Sequence, residues 1–286
     1  MERLIYRVSA FSHQNRGGNE AGVVLNTENL DDKTMQSIAK KVGFSETAFV
    51  FPSKEADYHL RYFSPLLEVP LCGHATIATF NLMRNLDLLD KQELTIKTAA
   101  GILNVFIESD AVFMQMASPM MQEGPDKQEL IDSLKLKHST LGEAPVKIVS
   151  TGIEEIFVEI KDKDSLNTLN LDPLAVQKLC EKYDASGMYL FTFDTDDPAA
   201  TTQGRNFLPV LGIPEESATG TASGALAYYL HTLKLKSQTD FVFEQGSALM
   251  KPSRIYAKLT LEKNKIADIK VGGGMRFIDK IINANT

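Results

Sequence analysis

Cysteine is scarce in this chain of 286 residues. Cys72 and Cys180 lie far apart in dissimilar settings, which argues against a disulfide framework and against a cysteine-based zinc site. The histidines (His13, His59, His74, His138 and His231) are scattered without an HxxxH or His-x-His pair, so no metal is implied. No apolar run approaches the roughly 18 residues of a membrane span. The opening Met1-Glu2-Arg3-Leu4-Ile5-Tyr6-Arg7-Val8 alternates charged with apolar side chains and lacks the apolar core of a secretory signal, so the chain is expected in the cytoplasm. A long basic run is also missing. Asp and Glu number 37 against 30 Lys and Arg, and the net charge of −7 argues against nucleic acid as a partner. What is present in quantity is apolar: 43% hydrophobic residues at this length can fill one large core or two ordinary ones.

The apolar pattern reads as strands around a few helices. Residues 4–11 alternate as a strand, with 22–25 as its partner beyond a polar turn. Residues 31–42 fit a helix capped by Asp31 or Asp32, with Met35, Ile38, Ala39 and Val42 forming its buried stripe. Strands are expected at 47–51, 58–63, 94–98, 102–107 and 112–116, around an apolar helix at 75–89. After a linker at 118–127 the pattern begins again, with helices at 128–136 and 173–183 and strands at 146–150, 156–160, 189–193 and 204–208. A second apolar helix at 224–235 precedes closing strands at 241–244, 255–261, 266–271 and 275–282. The expected domains are 1–120 and 121–275, with a final strand in 276–286 returning to the first. Each half is strands, one glycine-started apolar helix, then more strands, which is an α+β pattern.

The two glycine-started helices begin alike. Leu71-Cys72-Gly73-His74-Ala75-Thr76 and Ala218-Thr219-Gly220-Thr221-Ala222-Ser223 put glycine and small polar residues where backbone N–H groups lack helical partners and the helix dipole is positive. An anion fits such a place. If the fold points the two starts at each other, a small carboxylate is gripped from both sides. Both helices are apolar on more than one face, so a pair of ordinary buried helices is the plainer alternative.

Glu46 heads the nearly continuous apolar run Thr47-Ala48-Phe49-Val50-Phe51, a setting suited to a carboxyl group that gives and takes protons; a solvated strand-end glutamate is the plainer alternative. His74 follows Gly73 at the first helix start, where it can donate to a substrate oxygen or simply cap and pack. Cys72 stands where a helix N-terminus favours thiolate, yet a buried free cysteine behaves mainly as a small hydrophobe. Glu215-Glu216 bring carboxylates to the second motif, or form a solvated pair. Asn19, in the loop-like 15–20, is a candidate to reach the pocket, and Gly272-Gly273-Gly274 reads as a turn because it lacks the framing of a nucleotide site.

Taken in order, several segments resemble the phenazine-biosynthesis PhzF-like family. They are Ser9-Ala10-Phe11, Gly18-Asn19-Glu20-Ala21-Gly22-Val23, Phe44-Ser45-Glu46-Thr47-Ala48-Phe49, Phe63-Ser64-Pro65, Glu68-Val69-Pro70-Leu71-Cys72-Gly73-His74-Ala75-Thr76, Arg205-Asn206-Phe207 and Ala218-Thr219-Gly220. The resemblance implies the diaminopimelate epimerase-like fold: two similar α+β domains, each a β-sheet wrapped around a central helix, with the site in the cleft between. It places the acid/base glutamate on Glu46, the pocket histidine on His74 and substrate contacts on Gly73 and Gly220. It also implies isomerisation of a cyclic carboxylate without metal or organic cofactor, and a homodimer, for which an exposed apolar strand at 255–261 offers a pairing edge. Three positions depart from the family pattern. Glu216 stands for aspartate, Thr221 for serine and Glu20 for proline, and the first two are expected to narrow the pocket against the phenazine precursor.

The expected machinery is therefore Glu46, His74 and Glu216 as catalytic groups, with Asn19, Ser45, Cys72, Gly73, Thr219, Gly220 and Thr221 binding substrate. Two alternatives stand beside it. One is a two-base racemase or epimerase using Cys72, for which the second thiol position holds Thr219, an alcohol and a far poorer base. The other is a small-carboxylate-binding protein without chemistry.

Overall fold

A computed structural model describes residues 3–283, so residues 1–2 and 284–286 of the expected segments lie outside the described residues. The chain separates into two compact units, Met1–Gln115 with Gly272–Thr286, and Met116–Val271.

In the first unit, alternation and β-branched or aromatic residues produce β1 (Arg3–Ala10), β2 (Asn19–Val24), β3 (Glu46–Pro52), β4 (Tyr58–Phe63), β5 (Glu68–Val69), β6 (Glu93–Thr98), β7 (Gly101–Ile107) and β8 (Val112–Gln115). The C-terminal strand Met275–Asn283 pairs antiparallel with β1, which continues to β2; β3 joins β2 in parallel and β4 joins β3 antiparallel. Beyond β4 come β6, in parallel, then β7 and β8 antiparallel, with short β5 on the other end of β4. Helix α1 (Asp32–Val42) starts where the Asp31 side chain accepts from Thr34 N at 2.8 Å and stops at Gly43, whose φ of 74° is left-handed. Its Met35, Ile38 and Ala39 pack with Ile5, Val24, Phe49 and Phe63.

Helix α2 (Gly73–Asn85) is different: every residue from His74 to Met83 is buried, and β1, β2, β3, β7 and β8 all pack against it. A helix buried all round must satisfy its polar side chains internally. Thr79 donates to Ala75 O at 2.7 Å, and Asn81 Nδ2 donates to Ile77 O and Gly273 O at 2.9 and 3.0 Å. The helix ends earlier than its apolar pattern predicts. Asp87 turns left-handed, Leu88 N returns to Met83 O, and Leu86 and Leu88 are exposed.

The second unit repeats the plan with β9 (Met120–Glu123), β10 (Lys147–Ser150), β11 (Glu155–Glu159), β12 (Gly187–Thr192), β13 (Thr202–Leu208), β14 (Ile213–Glu216), β15 (Asp240–Gln245), β16 (Ser253–Glu262) and β17 (Lys265–Gly273). The sheet order is β9-β10-β11-β12-β13-β15-β16, and β14 folds back on β13. Helices α3 (Lys127–Leu134), α4 (Lys163–Thr168) and α5 (Pro173–Lys182) share one core with the sheet. Helix α6 (Gly220–Thr232) is the buried one, packed on β10 and β16.

Several expectations change. The supposed linker contains β9, paired to β10 from Lys147↔Glu123 to Ser150↔Met120. Elements α4 and β14 are additional, and α6 begins at Gly220 because its first turn is small and polar rather than apolar. Gly272 and Gly273 belong to β17, not to a turn; a Cβ on Gly272 would collide with the Val112 carbonyl. The strand expected as an exposed pairing edge is β16, paired along Ser253–Lys258 to β15, with Ile255, Ala257 and Leu259 buried.

Candidate active site

In the first unit, three candidate residues meet. Glu46 is the first residue of β3, in register with Ala21 of β2, and Cys72 is the N-cap residue of α2 in extended conformation. The start of α2 is tied to the sheet by a chain of hydroxyls. Thr76 Oγ1 donates its one proton to Cys72 O at 2.8 Å, so the Tyr62 hydroxyl, 2.7 Å from Thr76 Oγ1, must be the donor to it. Held there, Cys72 Sγ donates to Glu46 Oε2 at 3.5 Å and lies 3.4 and 3.7 Å from His74 Nδ1 and Nε2. His74 Nε2 is 3.3 Å from Glu46 Oε2 and 3.3 Å from Ser45 Oγ. Cys72 and His74 are 7% exposed, while the Glu46 side chain keeps 17%. Gly73 begins the helix between them. Asn19, buried at the start of β2, lies two residues before Glu46's register partner.

The second unit builds a matching helix start from different side chains. Thr219 is the N-cap residue of α6, and its hydroxyl donates to Glu216 Oε2 at 2.6 Å. Fully buried Gln245 clamps the turn: its Oε1 accepts from Thr219 N at 3.1 Å, and its Nε2 donates to Glu216 O at 2.8 Å and to Thr219 Oγ1 at 3.2 Å. Ser223 Oγ donates to Thr219 O at 2.9 Å, the same four-residue return that Thr76 makes to Cys72. Thr221 O accepts from Thr151 Oγ1 at 2.8 Å, and Gly220 is half-buried. Glu215 is not part of a solvated pair. It holds Arg205 through two bonds of 2.8 Å, while Arg205 Nη1 also donates to Leu166 O and Leu169 O.

One group was not anticipated. Glu155 opens β11 opposite Gly187 of β12, and the register from Tyr189 to Asn206 to Glu216 places these residues on one sheet face. Its side chain is fully buried, and among the described residues neither carboxyl oxygen nor the Asn206 amide has a partner with hydrogen-bond geometry. Burial and the neighbouring Glu216 carboxylate hold Glu155 well above the usual carboxylate range, and nearby Asn206 offsets part of that effect. Gln245 and Thr151 were missed too, since a polar residue at a strand end carries no local signal of the helix it clamps.

Residues 8–275 match the model of the phenazine biosynthesis-like protein family, PhzC-PhzF. The chain belongs to that family. A curated relative named as an uncharacterized isomerase, from Clostridium acetobutylicum, is 33% identical, with 96% of this chain and 96% of the relative covered. The trans-2,3-dihydro-3-hydroxyanthranilate isomerase of Pseudomonas aeruginosa is 27% identical over 93% of this chain and 94% of its own. The crystal structure of a PhzF-family phenazine biosynthesis protein from Bacillus anthracis superposes with a TM-score of 0.91 at 29% identity, covering 100% of both chains. The fold is thus the diaminopimelate epimerase-like α+β fold, and the general role of this PhzF-family chain is that of an isomerase. Among the described residues no helix is long and apolar enough to cross a membrane.

Proposed function

We propose that this PhzF-family chain isomerises a small, carboxylate-bearing, ring-shaped substrate by moving one proton, with Glu46 as the acid/base and no cofactor. The observation that carries this is the placement of Glu46 Oε2 within 3.3 Å of His74 Nε2 and 3.5 Å of Cys72 Sγ at the start of a buried helix. Two neighbours on one carboxyl oxygen hold it in a single orientation, and a fixed base lowers the cost of reaching the transition state. Glu46 removes a proton from the carbon adjacent or vinylogous to the substrate carboxylate and returns it elsewhere on the same face, so the product is an isomer and the enzyme is regenerated. The negative charge that develops on the substrate is met by backbone N–H groups at the Gly73 turn and by His74. Glu216, Thr219, Gly220 and Thr221 of the second unit, and Ser45 and Asn19 of the first, are the further substrate contacts of this proposal.

The experiment is proton exchange. A panel of cyclic and amino-acid carboxylates is incubated in deuterated water and followed by NMR, which reports proton abstraction whatever the product. Glu46→Gln should lose turnover and exchange by about 100- to 10,000-fold, the usual contribution of a positioned acid/base, while still binding ligand. Retained exchange in that variant removes Glu46 from the mechanism.

The close Cys72–His74 contact favours a second reading, in which the thiol is the base. The counterpart position at the second helix start, Thr219, is an alcohol already donating to Glu216. Inactivation of Cys72→Ala with full activity in Glu46→Gln would reverse the assignment.

A further inference from the structure

Helices α2 and α6 begin unlike α1, α3, α4 and α5. In those four the N-cap residue is an aspartate, Asp31, Asp126, Asp162 or Asp172, whose side chain accepts from a backbone N–H of the first turn. Cys72 and Thr219 cap α2 and α6 without such a bond, and each is followed by a half-buried glycine whose N–H has no acceptor in its helix. The carbonyl side differs as well. The N-cap carbonyls of Asp31, Asp126, Asp162 and Asp172 accept from the backbone N–H of an apolar residue, Met35, Leu130, Leu166 and Val176 respectively. Cys72 O instead accepts two bonds from one residue, Thr76 N at 3.1 Å and Thr76 Oγ1 at 2.8 Å, and Thr219 O accepts Ser223 N at 3.1 Å and Ser223 Oγ at 2.9 Å. The backbones match too, with φ and ψ of −140° and 111° at Cys72 and −127° and 108° at Thr219.

The carbonyl of an N-cap residue and the N–H of the glycine after it belong to one planar trans peptide, so they point in opposite directions. Fixing the oxygen twice fixes the N–H. The same bonds draw electron density toward the oxygen, which makes the N–H a stronger donor. We propose that Thr76 and Ser223 are positioning residues that aim and polarise the Gly73 and Gly220 N–H groups through the N-cap carbonyls, with Tyr62 holding the Thr76 hydroxyl to that task. Tyr62 is fully buried and donates to Thr76 Oγ1 at 2.7 Å, which keeps the Thr76 proton on Cys72 O. The catalytic effect of these bonds rests on the proposed function, in which the Gly73 turn meets developing negative charge and Gly220 is a substrate contact. Hydroxyl returns of this kind are common inside helices, and Thr79 supplies the contrast. Its hydroxyl donates to Ala75 O at 2.7 Å, but the N–H of that peptide, Thr76 N, already donates to Cys72 O within the helix.

The test joins amide NMR of the full chain to the kinetics of deuterium exchange on the panel carboxylate that exchanges fastest. Thr76→Val removes the hydroxyl bond and should move the Gly73 amide nitrogen resonance to higher field, an effect read without any substrate. One N–H donor to developing charge contributes about 100- to 1,000-fold to kcat, and a neighbouring bond strengthens a hydrogen bond by about 10–30%, so kcat should fall about two- to eightfold. Thr76→Ser keeps the hydroxyl and should keep the wild-type values of both. Thr76→Val also leaves the buried Tyr62 hydroxyl without its partner. Tyr62→Phe/Thr76→Val removes both groups, and should show the same kinetic loss in a fold that circular dichroism finds intact. Thr79→Val is the control, with the Gly73 resonance and kcat expected as in wild type. Ser223→Ala should shift the Gly220 resonance and raise KM by a similar factor. An unmoved Gly73 resonance in Thr76→Val, or an equal loss of kcat in Thr79→Val, overturns the proposal for Thr76, and an unmoved Gly220 resonance overturns it for Ser223. Shifts with unchanged kinetics overturn the catalytic effect alone. Retained exchange in Glu46→Gln removes the role given to Glu46 instead, and the resonances still decide whether the two peptides are polarised.

Discussion

Replacing Glu155 with glutamine should make the protein more stable at neutral pH, by an amount that grows with pH. The buried carboxyl binds its proton more tightly in the folded chain than in the unfolded one, because burial and Glu216 disfavour its charge. Below the ordinary glutamate value both states hold the proton, and the residue imposes no ionisation cost. As pH rises above that value the unfolded chain ionises while the folded one does not, so stability falls by about 1.4 kcal/mol per pH unit until the buried group itself ionises. Glutamine has nearly the same shape and no such proton. The difference in unfolding free energy between variant and wild type should therefore be small near pH 4.5 and rise at close to that slope above it. Urea unfolding followed by far-ultraviolet circular dichroism at intervals from pH 4 to 8 measures it, and other titrating groups cancel in the difference. Parallel stability profiles for the two proteins would show that Glu155 has an ordinary affinity for its proton, and the account of its surroundings would fail.

Helix α2 was legible because apolar residues on all sides can only mean enclosure, and Cys72, Gly73 and His74 are adjacent in the chain. Glu46 was legible as a polar residue at the head of an apolar strand. Its contact with Cys72 was not, since β3 and the start of α2 are brought together by long-range packing. Glu155 was hidden for a related reason: the strand Ile156–Ile160 was visible, but its burial depends on which neighbours flank β11, and periodicity does not name neighbours. The short elements β9, β14 and α4 carry too few residues to establish a period. The end of α2 was overrun because Leu86 and Leu88 continue an apolar pattern that the backbone abandons at Asp87.

Two further substitutions test how the second helix start is supported. Glu215→Gln removes a mostly buried charge that grips Arg205 twice, and should cost about 3 kcal/mol, near the lower end for a broken buried pair because the Leu166 and Leu169 carbonyls still hold the guanidinium; a midpoint in urea equal to that of wild type would show the pair to be idle. Gln245→Leu keeps the side chain's bulk but removes an acceptor from Thr219 N and donors from Glu216 O and Thr219 Oγ1, all at a turn that is largely buried. Orphaned buried groups cost roughly 1–3 kcal/mol each, so stability should drop by a few kcal/mol. The turn that positions Glu216 should also loosen. On the proposed function, which gives the Thr219 turn to substrate binding and the proton transfer to Glu46, the kinetic defect should lie mainly in KM, with kcat changed far less. A fall in kcat at unchanged KM would mean that the turn acts on the chemical step, and the division of labour between Glu46 and Glu216 would have to be redrawn.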